Sequence, residues 1–421
     1  MWDGLLLSWK RKMNIGLWFA VASLGIALIG VPAAWANWRR IRRERGRGRF
    51  KQVLDHVRVG QGDLHQAALI EADMVGLNAR IPMLAKADWI PDCPLSLECV
   101  KIHWIDPTQA GDRLTVARRN AKKLMPFRDD KLRYENYSQA LGEMGQMSKL
   151  YNGFVYRPMA VRRTKDKFHL SFTEGKYFDH LDTSEVLAYE AASRVLAGKN
   201  IMSGPYRVSI GDPFDLAGRG TSLGVVTLTV RVSESSCGFY MHHRSNDGVI
   251  AGPDILHVIP AGEFTPADVS LESRKSDRSI WKTMVREYAE EFLDVEEAYG
   301  RSGRPIDYEG DYPFSAITRA RESGKLKVYF LGMGLDALTL KPEILLVSLV
   351  EATAFDAIFA EMVPDGKEGT ILVGPRKEGI LFNKKNVDHY AKGLNTRSAG
   401  RSCLMLTWQH RKYLNLPVAG D

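Results

Sequence analysis

Twenty-two consecutive residues, Ile15 to Ala36 ("IGLWFAVASLGIALIGVPAAWA"), carry no charged side chain. As a helix rising ~1.5 Å per residue they would cover roughly 33 Å, enough to cross the hydrocarbon core of a bilayer. Trp18, Trp35 and Trp38 sit near the two ends, where aromatic side chains settle at membrane surfaces. Immediately after comes "RRIRRERGRGR", Arg39 to Arg49, with seven arginines against one glutamate. This outweighs Lys10, Arg11 and Lys12 on the other side. The imbalance predicts a single-pass membrane anchor with the C-terminal bulk in the cytoplasm. Two other readings compete. "AWA", Ala34 to Ala36, resembles a signal-peptide cleavage site, but the apolar run is long for a signal and the arginines after it oppose translocation. A buried core helix of this length would normally carry polar interruptions. The arginines therefore orient the anchor and touch anionic headgroups of the lipid bilayer.

That one run supplies most of the net charge of +8, so the basic pI does not point to a nucleic-acid partner for the rest, and no duplex nucleic acid is expected. With 421 residues, 45% of them hydrophobic, two or three packed units are expected. Cys93, Cys99, Cys237 and Cys403 complete no zinc set and read as reduced thiols, with a Cys93–Cys99 disulfide as the alternative.

The chain divides into an N-terminal segment (1–14), a transmembrane helix (15–38), a basic juxtamembrane linker (39–50), a mixed connector (51–150) and a main domain (151–417). In the connector, "DLHQAALIEADMVGL" and "LTVARRNAKKL" have helical spacing and "ECVKIHW" alternates like a strand. The main domain opens with two strands, "GFVYRPMAVRR" and "KFHLSF", and a helix "DTSEVLAYEAASRVLAG" with Asp182 as its N-cap and Gly198 at its exit. "SLGVVTLTVRV" and "GFYMHHRS" form a hairpin around "SESSC". "ILHVIPAGEF" is a strand running into a turn. "KLKVYFLGMGLDAL" and "PEILLVSLVEA" are two further strands, and two helices close the chain. Without strict strand–helix alternation, the pattern favours an α+β sandwich.

Between them lies "MVREYAEEFLD", Met284 to Asp294. On a helix from Ser279 to Leu293, Trp281, Met284, Val285, Tyr288, Ala289 and Phe292 form one apolar stripe. Arg286, Glu287, Glu290 and Glu291 fall mostly outside it. Three carboxylates within one turn repel one another. Either they form a solvated acidic face, or a divalent cation with oxygen ligands relieves the repulsion, and Mg²⁺ or Mn²⁺ suits that donor set.

"PAGEF", Pro260 to Phe264, followed by "REYAEE", Arg286 to Glu291, resembles the box of the Nudix hydrolase family, a glycine loop leading into a helix of pattern R-E-U-x-E-E-x-G-U, where U is a bulky apolar residue. The resemblance implies a Nudix-like α/β/α sandwich behind the transmembrane helix, and Mg²⁺-dependent cleavage of a nucleoside diphosphate linked to another group. It implies Glu287, Glu290 and Glu291 as metal ligands, with Glu287 alternatively orienting the water, and Arg286 bracing the loop. Gly262 and Glu263 of the loop, and Arg244 at the end of "HHR", become the substrate contacts. Glu351 is a further candidate as general base. Three positions depart from the pattern. Leu293 stands at the glycine after E-E. Gly262 precedes Arg286 by 24 residues, more than the family spacing. Arg278 falls where the upstream glutamate belongs, and Glu272 or Asp277 replaces it only if the inserted segment folds back.

Two functions are therefore expected in parallel. One is a membrane-anchored Nudix-type hydrolase acting on a nucleotide or nucleotide conjugate. The other is a non-catalytic Nudix-like sensor that binds a nucleotide, an architecture resembling effectors of bacterial anti-phage systems. The anchor is tested directly: the full chain stays in membranes after carbonate washing, and a reporter fused after Asp421 reads as cytoplasmic. A shorter soluble product starting near Asn37 would restore the signal-peptide reading.

Overall fold

The computed structural model describes residues 35, 37–77, 80–111, 113–129, 131–145, 150–244, 255–295, 305–367, 369–374 and 377–418. The expected transmembrane helix lies almost wholly outside these residues. Among the described residues, no helix is long and apolar enough to cross a membrane.

The α+β class holds. The largest sheet places β1 (Leu95–Ser96), β10 (Leu326–Leu335), β11 (Pro342–Glu351), β5 (Gly224–Val232), β6 (Cys237–Phe239) and β14 (Ile380–Leu381) side by side in that order. β9 (Ala261–Glu263) pairs with the first residues of β5. Only β5 and β11 of this sheet are parallel, in register from Gly224 opposite Glu343 to Val232 opposite Glu351. A parallel pair needs a long crossover, and the chain between them carries the carboxylate helix. A second sheet orders β12 (Asp365–Gly366), β13 (Gly369–Leu372), β7 (Met241–Arg244) and β8 (Leu256–Val258). A third orders β2 (Val100–Trp104), β4 (Phe168–Lys176) and β3 (Phe154–Arg163).

The paired strands β5 and β11 are buried on both faces, and their period of two feeds two separate cores. Val225, Ile344, Leu346 and Val350 join the cluster that contains Tyr288 and Phe292 of helix Ile280–Leu293. Val226, Leu228, Val230, Leu345 and Val347 point the other way, to Val387 of helix Lys384–Lys392 and to Cys403 and Leu404 of helix Ser398–Gln409. Helices thus cover both faces of the large sheet.

Residues 51–150 are built into this body. Phe50, Val53, Leu64, Ala68, Trp89 and Tyr134 belong to the same buried cluster as Tyr288 and Phe292. The strand register of β10 shifts between Phe330 and Gly332. Gly332 there has φ 150°, and a Cβ on it would lie 2.5 Å from Ile90 Cδ1, so the kink and the missing side chain let the Trp89–Ile90 segment lie on the sheet.

Several local expectations change. The basic segment expected as a linker is helical, within a helix over 37–59. Gly46 and Gly48 weaken it, but Phe50, Val53, Leu54 and Val57 bury one face at helical spacing. Asp182 caps no helix of its own. It lies in a π-helical turn, Leu181–Glu185, and its buried carboxylate accepts hydrogen bonds from the Ser138 N–H and hydroxyl, at the start of helix Tyr137–Met144. "GFYMHHR" splits at Tyr240, sending β6 to the first sheet and β7 to the second. "PAGEF" is a strand rather than a turn, with Gly262 opposite Val225. All four cysteines are free thiols.

The apolar stripe of the carboxylate helix is buried as expected. Phe292 is fully enclosed, with ring centroids 4.8 Å from Phe359 and 5.7 Å from Tyr240. Phe292→Ala should therefore cost about 3–5 kcal/mol in chemical denaturation. Glu290→Gln, on a partly exposed position of the same helix, should leave the midpoint nearly unchanged. The reverse ranking would mean that the helix packs on its other face.

Candidate site on the carboxylate helix

The helix starts cleanly because the Ser279 side chain caps the Lys282 N–H. It ends at Asp294 in the left-handed region, φ 53°. Where the family pattern has glycine after E-E, this chain therefore carries Leu293 inside the helix and turns one residue later.

Two side chains expected on the polar face are buried: Arg286 and Glu291. Arg286 donates to Tyr308 Oη at 3.1 Å and to the Thr265 carbonyl at 2.6 Å, and it lies 3.7 Å from an Asp277 carboxylate oxygen. Tyr308 donates to Asp277 in turn, at 3.0 Å, and Asp277 also accepts from the Ala267 N–H. Burial works against the charge on Arg286, but Tyr308, Asp277 and Glu287 outweigh it and hold the guanidinium protonated. The segment between Phe264 and Ser279 thus folds back and brings Asp277 beside Arg286. Arg286 also ties the chain after "PAGEF" to its own helix. Tyr308 gave no signal in the sequence.

Glu291 is committed elsewhere. Its carboxylate accepts from Arg244 Nη2 at 3.1 Å and from the Ala261 N–H at 3.1 Å, and its side chain is 1% exposed. Arg244 also donates to the Ala261 carbonyl at 2.9 Å. His242 Nδ1 lies 3.7 Å from the same Glu291 oxygen. Arg244 therefore joins the candidate site, as an internal counter-ion of a glutamate.

Gly262 and Glu287 meet closely. A Cβ built on Gly262 would fall 1.9 Å from the Glu287 carboxyl carbon, so only glycine leaves room for this carboxylate against the backbone of β9. Glu287, Glu290 and Arg286 line one small cavity of about 30 Å³, with Thr265 and Phe314 on its other walls. That volume exceeds the ~10–15 Å³ that a single water or small ion needs. Glu263 points away from this cavity into a half-buried ion pair with Lys341, which also lies 3.9 Å from Glu343. Burial opposes its charge, yet Lys341 and His180 keep its carboxyl below the ordinary range. Glu351 pairs with Val232, six residues along β5 from Val226, the last residue that pairs with β9. It therefore sits at the opposite end of these strands from Gly262.

The structure therefore brings Arg286, Glu287 and Glu290 to one cavity, places Gly262 against Glu287, and ties Glu291 to Arg244. Among the described residues, no group of three or more His, Cys, Asp or Glu is arranged to hold a metal ion. No protein-family model matches the chain, and no curated protein does.

The close approach at Gly262 gives a stability test. Gly262→Ala should lower stability by about 1–3 kcal/mol, the usual cost of forcing extra volume into a packed site. Adding Glu287→Ala in the same chain should recover most of the loss. Equal losses in the single and double variants would mean that the two residues do not touch.

Proposed function

We propose that the chain is a membrane-anchored, Nudix-like protein that binds a nucleotide as a sensor without cleaving it. The Arg244–Glu291 pair carries this reading. A buried carboxylate that receives a guanidinium and a backbone N–H already has its charge balanced, so a divalent cation has less to gain there. The bracing of Arg286 by Asp277, Tyr308 and Thr265 supports retention of the Nudix-like scaffold around the helix. The long apolar run at Ile15–Ala36 supports the anchor.

A second reading, the Mg²⁺- or Mn²⁺-dependent hydrolase, is favoured by one observation: Glu287 and Glu290 share a cavity. Mg²⁺ is often held by one or two carboxylates together with substrate phosphates. In this reading Glu287 and Glu290 would hold the ion, with Glu291 joining them only on release from Arg244. The ion would supply stabilisation of charge developing on a phosphate oxygen.

The full chain in detergent separates the two. A ligand that binds only the native state raises its stability by mass action. Nucleoside diphosphates and their conjugates, with Mn²⁺ present, should raise the melting temperature while the nucleotide is recovered intact. Phosphate-bond cleavage that disappears in Glu287→Gln/Glu290→Gln would instead establish the hydrolase. No thermal shift with any nucleotide, with or without Mn²⁺, would exclude both.

A further inference from the structure

A larger cavity lies away from the carboxylate helix, where helix 37–59 and helix Gln61–Met74 meet the C-terminal helix Ser398–Gln409. Its volume is about 210 Å³, many times what one water requires. The contact that closes it is tight: a Cβ on Gly62 would lie 2.6 Å from the Leu394 carbonyl oxygen, so a glycine is needed for helix Gln61–Met74 to dock there.

Three guanidinium groups line this cavity: Arg58, Arg397 and Arg401. Arg401 donates through Nε to the Ala391 carbonyl at 2.9 Å, and Arg58 reaches the Gly145 carbonyl at 3.4 Å. Arg397 Nε is buried and has no hydrogen-bond partner among the described residues. The same is true of Thr396 Oγ1 and Gln61 Oε1, and Thr396 is 3% exposed. Buried polar atoms in native proteins nearly always have partners, so three without one, on residues that line a single cavity, call for an explanation.

Three carboxylates, Asp63, Asp336 and Glu343, also line the cavity, and Asp336 is the one most fully held by its own donors. Asp336 accepts from the Leu338 and Thr339 N–H groups at 2.9 Å each and lies 3.1 Å from His65 Nε2. Burial opposes its charge, but His65 and these donors hold its carboxyl well below the usual range. Glu343 lies near Lys341, and burial pushes its pKa upward. Burial and the nearby Arg244 disfavour the protonated form of Arg397 more than Glu343, Asp336 and Glu185 favour it. The first turn of helix Ser398–Gln409 adds the positive end of its dipole, and no side chain caps it.

We propose that this cavity binds a phosphate-bearing anion, held by Arg397 and Arg401 against the first turn of helix Ser398–Gln409, with Arg58 closing over it from the N-terminal helix. Arg and helix N-termini together suit the multiple acceptor oxygens of a phosphate. The site needs neither a divalent ion nor the carboxylate helix, so it stands apart from the Nudix-like reading. It joins the N-terminal helices to the body through a ligand.

Isothermal titration of the full chain in detergent, with EDTA and with pyrophosphate or ADP as the probe, tests this. Saturable binding is expected, weakened at least about tenfold by Arg397→Ala and by Arg401→Gln, which corresponds to ~1.4 kcal/mol. Glu287→Gln/Glu290→Gln should bind as the unaltered chain does. Should Arg397→Ala fail to fold, Thr396→Val and Arg58→Ala make the same comparison with smaller changes in packing. The proposal falls if neither probe binds at roughly 10 mM, an affinity too weak to specify a site. It falls equally if the folded arginine variants bind unchanged, or if the carboxylate double variant abolishes binding.

Discussion

A buried arginine must keep its charge compensated, and in this protein Arg286 does so by gathering three separate segments. It takes the Thr265 carbonyl from the chain after β9, Asp277 from the turn before its own helix, and Tyr308 from beyond it. Each partner also serves another: Tyr308 donates to Asp277, and Asp277 holds the Ala267 N–H. Loss of one member leaves a buried charge or donor exposed to an apolar core, a penalty of several kcal/mol. This network fixes how the insertion between Phe264 and Ser279 is folded. It thereby fixes the position of Glu287 beside Gly262.

The second buried charge, Glu291, shows how the same helix face can be resolved in two ways. Repulsion among Glu287, Glu290 and Glu291 is relieved by any cation of suitable geometry. A metal ion is one solution and a guanidinium is another. Here Arg244 arrives on β7, a strand of the second sheet, and it also bonds the Ala261 carbonyl. The ion pair therefore links the two sheets, whereas a metal site would leave Arg244 free to meet a substrate. The two arrangements compete for one side chain, Glu291.

Much of the fold was legible because it rests on local periodicity. The β-branched run "GVVTLTVRV" and the apolar run "EILLVSLVE" identified β5 and β11, and the three- and four-residue spacing from Trp281 to Phe292 identified the helix and its buried face. The misread features are those decided by distant partners. Asp182 looked like an N-cap because Ser/Thr/Glu follow it, but its partner is Ser138, 44 residues earlier. Arg244 looked like a substrate contact because its partner Glu291 is 47 residues away. "PAGEF" has the residues of a turn, and only pairing with Gly224–Val226 makes it a strand. Asp277 was within reach of sequence reasoning, since it is one residue from the family position. It lies outside the helix, so helical spacing did not constrain it.

The two charged regions are not independent. Arg244 is one of the groups that disfavour the charge on Arg397, and His257, buried between β8 and helix Ser398–Gln409, feels both arginines. A Cβ on Gly400 would sit 2.8 Å from His257 Nδ1, so this helix can pack against the strand only because residue 400 has no side chain. Burial holds His257 well toward its neutral form, as the neighbouring arginines require.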